Sequence, residues 1–192
     1  MIITETKQLQ LMCEEVKTVK EGEEIGAQLL KELSESENGI GLAANQIGIN
    51  KRVCVINVKE PLVLINPRIV EHSEEQFMFS EGCLSFPKKY VRTGRHTSVT
   101  VETDNHEGKM IFSADSKDIN DAFECACVQH EIDHLDGITM FDRAMVAQPY
   151  QAPEKIGRNE RVTITDGNET KELKWKKAEP LVESGEWEMA PA

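Results

Sequence analysis

The chain has 192 residues, 39% of them hydrophobic, which is enough for one substantial buried core. Lys and Arg total 22 against 34 Asp and Glu, so a net charge of −12 repels polyphosphate and argues against nucleic acid as the main partner. No apolar run reaches bilayer length and the opening MIITETKQLQ lacks the charged-then-apolar build of a signal peptide, so the expectation is a cytoplasmic protein with no membrane contact.

From Gly22 to Glu37, the residues Ile25, Leu29, Leu30 and Leu33 recur at helical spacing among Glu and Lys, which predicts an amphipathic helix ended by the Gly39–Gly41 pair. Val53–Val58 and Leu62–Asn66 are β-branched runs closed by Pro61 and by Asn66-Pro67, and they predict two buried strands. Ser98–Thr103 alternates cleanly and Lys109–Phe112 follows a turn-forming stretch, which predicts an antiparallel hairpin. Asp118–Asp136 predicts a helix with Asp118 as N-cap, Gly137 just past its end, and an apolar face of Ile119, Phe123, Ala126, Cys127 and Val128. Past Asp142, Pro149, Pro153 and Gly157 interrupt any periodicity. RVTITDGNETKELKW then predicts a hairpin turning at Asp166-Gly167, and the acidic tail from Ala178 is expected to be loosely held. Helices and strands are mixed rather than alternating. The fold class is therefore α+β, a compact single domain with antiparallel or mixed β-sheets around a central helix, with 146–192 as a C-terminal extension.

That central helix carries His130-Glu131-Ile132-Asp133-His134. Residues four apart share a helix face, so two imidazoles can meet one metal ion, and Glu131 beside them can exchange protons with a water that the ion activates. The bland alternative is a pair of histidines that fill a core or face solvent. Catalytic mononuclear sites take about three protein ligands, so a third is needed. No histidine follows His134; a later Glu remains possible, but Cys83 in Glu81-Gly82-Cys83-Leu84-Ser85 is the better candidate, since a glycine permits an unusual turn and a thiolate is a soft ligand. Its alternative is a buried structural thiol. Cys13, Cys54, Cys125 and Cys127 look like packing residues. The third segment, Gly39-Ile40-Gly41-Leu42-Ala43-Ala44-Asn45-Gln46-Ile47-Gly48, sets small residues and the Gln46 amide between a helix and a strand. Gln46 could donate to a developing oxyanion, the alternative being a tight structural turn.

GIGLAANQIG, EGCLS and QHEIDH, in this order and at these separations, resemble the three signature motifs of peptide deformylases. The resemblance runs from the helix before Gly39 to Arg143 and implies a catalytic domain over 1–145. It implies one divalent ion held by Cys83, His130 and His134, with Fe²⁺ the usual ion and Zn²⁺, Ni²⁺ or Co²⁺ able to replace it. It further implies Glu131 as general base and acid, and the Gln46 amide with the Leu84 backbone N–H as oxyanion donors. Gly41 would border the peptide cleft. Phe79, Phe123, Ala126 and Cys127 would line an apolar pocket for methionine. The implied activity is hydrolysis of the formyl group from N-formylmethionyl nascent peptides, releasing formate. By the same likeness Glu81 would pair with Arg95, the alternative being two separate surface charges. Two departures stand out: no early proline-containing segment, and no long C-terminal helix of the kind many bacterial members use to reach the ribosome. Lys171, Lys174, Lys176 and Lys177 around Trp175 could replace it as an RNA contact, although a solvated strand face is the simpler reading. An endopeptidase with the same helix motif, or an inactive formyl-peptide-binding relative, are the rival functions.

Overall fold

Thr18 starts the first long helix. Its hydroxyl accepts the Glu21 N–H at 3.2 Å, so the helix begins at Val19, three residues before the predicted start, and ends at Ser34. The structure, a computed structural model, describes residues 2–36, 38–115, 117–145, 161–165, 169–183 and 187–189. The chain divides into two compact units, Met1–Tyr150 and Gln151–Ala192. In chain order the first contains α1 (Thr6–Leu9), α2 (Val19–Ser34), β1 (Gly41–Ala43), a 3-10 turn (Ala44–Ile47), β2 (Val53–Asn57), β3 (Pro61–Ile65), β4 (Arg68–His72), β5 (Gln76–Cys83), β6 (Phe86–His96), β7 (Ser98–Glu102), β8 (Met110–Ser113) and α3 (Ile119–Leu135). The second contains β9 (Arg161–Thr165), β10 (Thr170–Lys174), α4 (Trp175–Glu183) and β11 (Glu188–Met189).

Among the described residues the first unit has three sheets, β1-β2-β3, β4-β7-β8 and β5-β6, each built from antiparallel pairs. Successive residues of a strand face opposite ways. In β2, Cys54 and Ile56 join the core beneath α3, while Val53 and Val55 join the core beneath α2. Both faces are covered, which explains the unbroken apolar run of that strand. Packing of α2 is close: a Cβ on Gly22 would lie 2.6 Å from the Ile65 side chain, and one on Gly26 would overlap Val63. Across the molecule, α3 packs its Cys125, Val128, Ile132 and Leu135 between β2–β3 and the β7–β8 hairpin. Every residue from Cys125 to Leu135 is buried, so the helix that bears the histidines is enclosed on all sides.

The α+β class, the two buried strands, the β7–β8 hairpin and the helix capped by Asp118 agree with the sequence reading; the Asp118 side chain accepts the Asn120 N–H. Three features differ. Ile119 and Phe123, expected on the apolar face of α3, are 69% and 40% exposed, because the first turns of the helix project beyond the core. The strands β4, β5 and β6 carry no clean apolar alternation; of the inward positions of β6, Val91 joins a small apolar cluster while Thr93 and Arg95 serve a buried ionic network. The third difference is in the second unit. There β9 and β10 pair as the expected hairpin, although the turn residues 166–168 lie outside the described set. Trp175 opens a helix instead of ending a strand. Ala178, expected in a loose tail, is buried with Val162 and Ile164 in that unit's own core. Among the described residues no helix is long and apolar enough to cross a membrane.

Candidate active site

The last three turns of α3 present His130, Glu131 and His134, with the two imidazole rings 4.8 Å apart and nearly perpendicular. Cys83 approaches from the end of β5, where a break in register between Gly82 and Cys83 re-aims the strand. Its Sγ lies 3.2 Å from His134 Nε2, and the donor atoms of Cys83, His130 and His134 fall within 4.8 Å of one another. Gln46 enters from the 3-10 turn. Its Oε1 accepts the Ala43 N–H at 2.8 Å, which fixes the amide so that Nε2 donates to Ser85 Oγ at 3.1 Å and reaches Cys83 Sγ at 3.4 Å. The neighbouring Asn45 ties the same turn to α3 by donating to the His134 carbonyl at 2.6 Å.

A buried ionic network surrounds this cluster. Glu81 and Arg95 are 4% and 3% exposed and form a two-pronged pair, with Nη2 to Oε2 at 2.9 Å and Nε also donating to Oε1. The structure thus decides for the pair over two separate surface charges. Glu81 further accepts from Thr93 Oγ1 at 2.6 Å and from His130 Nδ1 at 2.8 Å, so His130 turns its Nε2 toward the cluster. Arg95 Nη1 donates to Asp133 at 2.5 Å, and Arg143 donates to the same carboxylate at 2.7 Å. Burial opposes charge on Glu81, but Arg95 and His130 outweigh it and hold the carboxyl well below its ordinary range. Burial has the opposite outcome at Glu131, whose carboxyl is pushed up to about 7. Its Oε2 is enclosed with no hydrogen-bond partner among the described residues.

These groups border a cleft of about 450 Å³. Of the residues named from the sequence, Gly41, Gln46, Phe79, Cys83, Leu84, Phe123, Ala126, Cys127, His130 and Glu131 line it; His134 lies just behind, fully buried. Phe79 and Phe123 meet edge to face with centroids 5.1 Å apart and form one wall. A Cβ on Gly41 would overlap Glu131 Oε1 and come within 2.6 Å of Cys127 Sγ, so the backbone there presses against the carboxylate. Burial pushes the thiols of Cys13 and Cys125 up to about 11 and holds those of Cys54 and Cys127 well above the ordinary thiol range, which keeps them as neutral packing groups. Sequence reasoning missed Ser85, Thr93, Asp133 and Arg143. Asp133 lies inside the HEIDH motif, but α3 also carries Asp121, Glu124 and Glu131, so its charge did not single it out. In the second unit, Lys171 pairs with Glu169 and lies 4.2 Å from the Trp187 ring, while Lys176 and Lys177 are on α4 rather than on a strand.

The donor set fits a transition-metal ion. One thiolate and two imidazoles suit Fe²⁺, Zn²⁺, Co²⁺ or Ni²⁺ and not the oxygen-seeking Mg²⁺ or Ca²⁺, and three protein ligands is the usual count where a position is kept for chemistry. The Glu131 carboxyl beside that set, its Oε2 without a hydrogen-bond partner among the described residues, has the chemistry to exchange a proton near neutral pH. The class that this fold and site define is a metal-dependent hydrolase.

Residues 1–149 match the family model for polypeptide deformylase. Peptide deformylase from Rhizobium meliloti is 44% identical over 110 residues, covering 54% of this chain and 60% of the relative. Peptide deformylase 2 from Vibrio vulnificus is 35% identical over 158 residues, covering 80% of this chain and 90% of the relative. Among solved structures, peptide deformylase from Thermotoga maritima superposes with a TM-score of 0.68 at 27% identity, covering 76% of this chain and 97% of that one. The chain belongs to the peptide deformylase family, metal-dependent hydrolases that remove the formyl group from the N-terminus of nascent peptides.

Proposed function

We propose that this chain deformylates N-formylmethionyl peptides at the cleft of its first unit, with Cys83, His130 and His134 as the ligands of one divalent ion, Fe²⁺ in the native state. The single observation that carries the proposal is the convergence of those three donors beside the buried Glu131, whose Oε2 has no hydrogen-bond partner among the described residues. When bound, the ion supplies Lewis acidity and makes hydroxide accessible near neutral pH. Glu131, held near neutrality by burial, takes a proton from the attacking water and delivers it to the departing peptide amine. Atoms balance: the formyl C–N bond breaks, a C–O bond forms, and formate and a free amino group result. The Gln46 amide, fixed by Ala43, donates to the formyl oxygen as charge develops there, together with the Leu84 backbone N–H. Phe79, Phe123, Ala126 and Cys127 exclude water from the methionine side chain, and Gly41 lets the peptide backbone approach Glu131. A thiolate ligand on Fe²⁺ makes the native form sensitive to air.

The division of labour assigns catalysis to residues 1–145 and leaves 146–192 as an appended segment. The substrate's origin on the ribosome implies an encounter there, in the cytoplasm; the lysines of β10 and α4 are the candidates for such a contact. Glu131→Gln tests the assignment: metal content is expected to stay near the wild-type level while kcat on formyl-Met-Ala falls by on the order of 10²–10⁴. A fully active variant would contradict the role given to Glu131.

A further inference from the structure

The mouth of the cleft carries two cations that the hydrolytic step does not use. In the β5–β6 pair, Gly82 faces Tyr90 and Cys83 faces Phe86, so residues 87–89 bulge out of the ladder beside the cluster. Lys88 and Lys89 occupy that bulge, both exposed, and both line the cleft. Lys88 holds the left-handed conformation, φ 63°, and Lys89 Nζ lies 5.7 Å from the Phe141 ring centroid. Among the described residues neither ammonium has a carboxylate within ion-pair distance, whereas Lys51, Lys59, Lys109, Arg52 and Arg68 each do. On a chain of net charge −12, two adjacent cations without a carboxylate partner among the described residues create a local positive field at the cleft mouth.

A peptide whose formylated end reaches Glu131 leaves the cleft through this mouth, advancing about 3.3 Å per residue if extended. We propose that Lys88 and Lys89 form a recognition subsite for acidic side chains in the residues that follow the formylated one, so that substrate charge sets KM. The proposal rests on the deformylase reading of the site.

The test is steady-state formate release by the metal-loaded full chain from formyl-Met-Ala-Ala-Ala, formyl-Met-Ala-Asp-Asp and formyl-Met-Ala-Lys-Lys. The expected KM for the aspartate peptide is roughly three- to tenfold below that for the lysine peptide, and the gap narrows as salt is raised. The double variant Lys88→Glu, Lys89→Glu should reverse the order. Equal KM values for the three peptides, or an order that the double variant leaves unchanged, would overturn the proposal. If the double variant does not fold, the wild-type salt series decides: a gap that ignores salt counts against the subsite. Absence of formate from all three peptides would overturn the underlying deformylase reading, an outcome distinct from turnover without charge ranking.

Discussion

A carboxyl oxygen enclosed by protein and lacking a hydrogen-bond partner is held against a desolvation cost, and among the described residues Glu131 Oε2 is such an atom. Its position is set by what surrounds it, above all the bare backbone of Gly41, where even a methyl group would collide with Oε1. Gly41→Ala is therefore expected to displace the carboxylate and lower kcat by roughly tenfold to a hundredfold while metal content is kept. Steady-state kinetics beside metal analysis checks this; an unchanged kcat would mean that the contact does not position Glu131. His130, Glu131 and His134 were legible in the sequence because one helical turn encodes their juxtaposition locally. Cys83 was legible only as the better of two sources for a third ligand. Ser85 and Thr93 gave no signal, since each acquires its partner, Gln46 or Glu81, from a distant stretch of chain.

Between β5, β6 and α3 the connection is ionic. Arg95 spans Glu81 and Asp133, and Glu81 in turn holds His130, so the strand pair and the histidine-bearing helix share one network. Arg95→Ala would strip the enclosed Glu81 carboxylate of its guanidinium partner and leave Asp133 with Arg143 alone, a loss on the order of 3–5 kcal/mol. The expected readouts are a melting temperature lower by about 6 °C or more and a metal affinity reduced by roughly 10–100-fold, and Lys at this position should restore little because it cannot make the two-pronged pair. A variant that melts within about 2 °C of wild type would show the network to be dispensable. This network also explains why β6 was illegible. Strands announce themselves by apolar alternation, and the inward face of β6 alternates Val91, Thr93 and Arg95. By contrast β2 was legible because α2 and α3 cover it on both sides.

At the level of the molecule, every residue assigned to the chemistry lies in the first unit, and the three proposed ligands come from two places far apart in sequence: the end of β5 and the last turns of α3. The second unit has its own small core around Val162, Ile164 and Ala178. Its helix α4 escaped the sequence reading because only nine residues, with Pro180 among them, carry too short a period to separate from an acidic tail. The central claim is that one ion on Cys83, His130 and His134 is required for deformylation. It is tested most directly by measuring metal content and formate release from formyl-Met-Ala on the same anaerobically purified sample, before and after chelation and after Fe²⁺ or Ni²⁺ is returned. The account predicts close to one ion per chain, with turnover lost and regained in step with it; undiminished formate release by metal-free protein would contradict it.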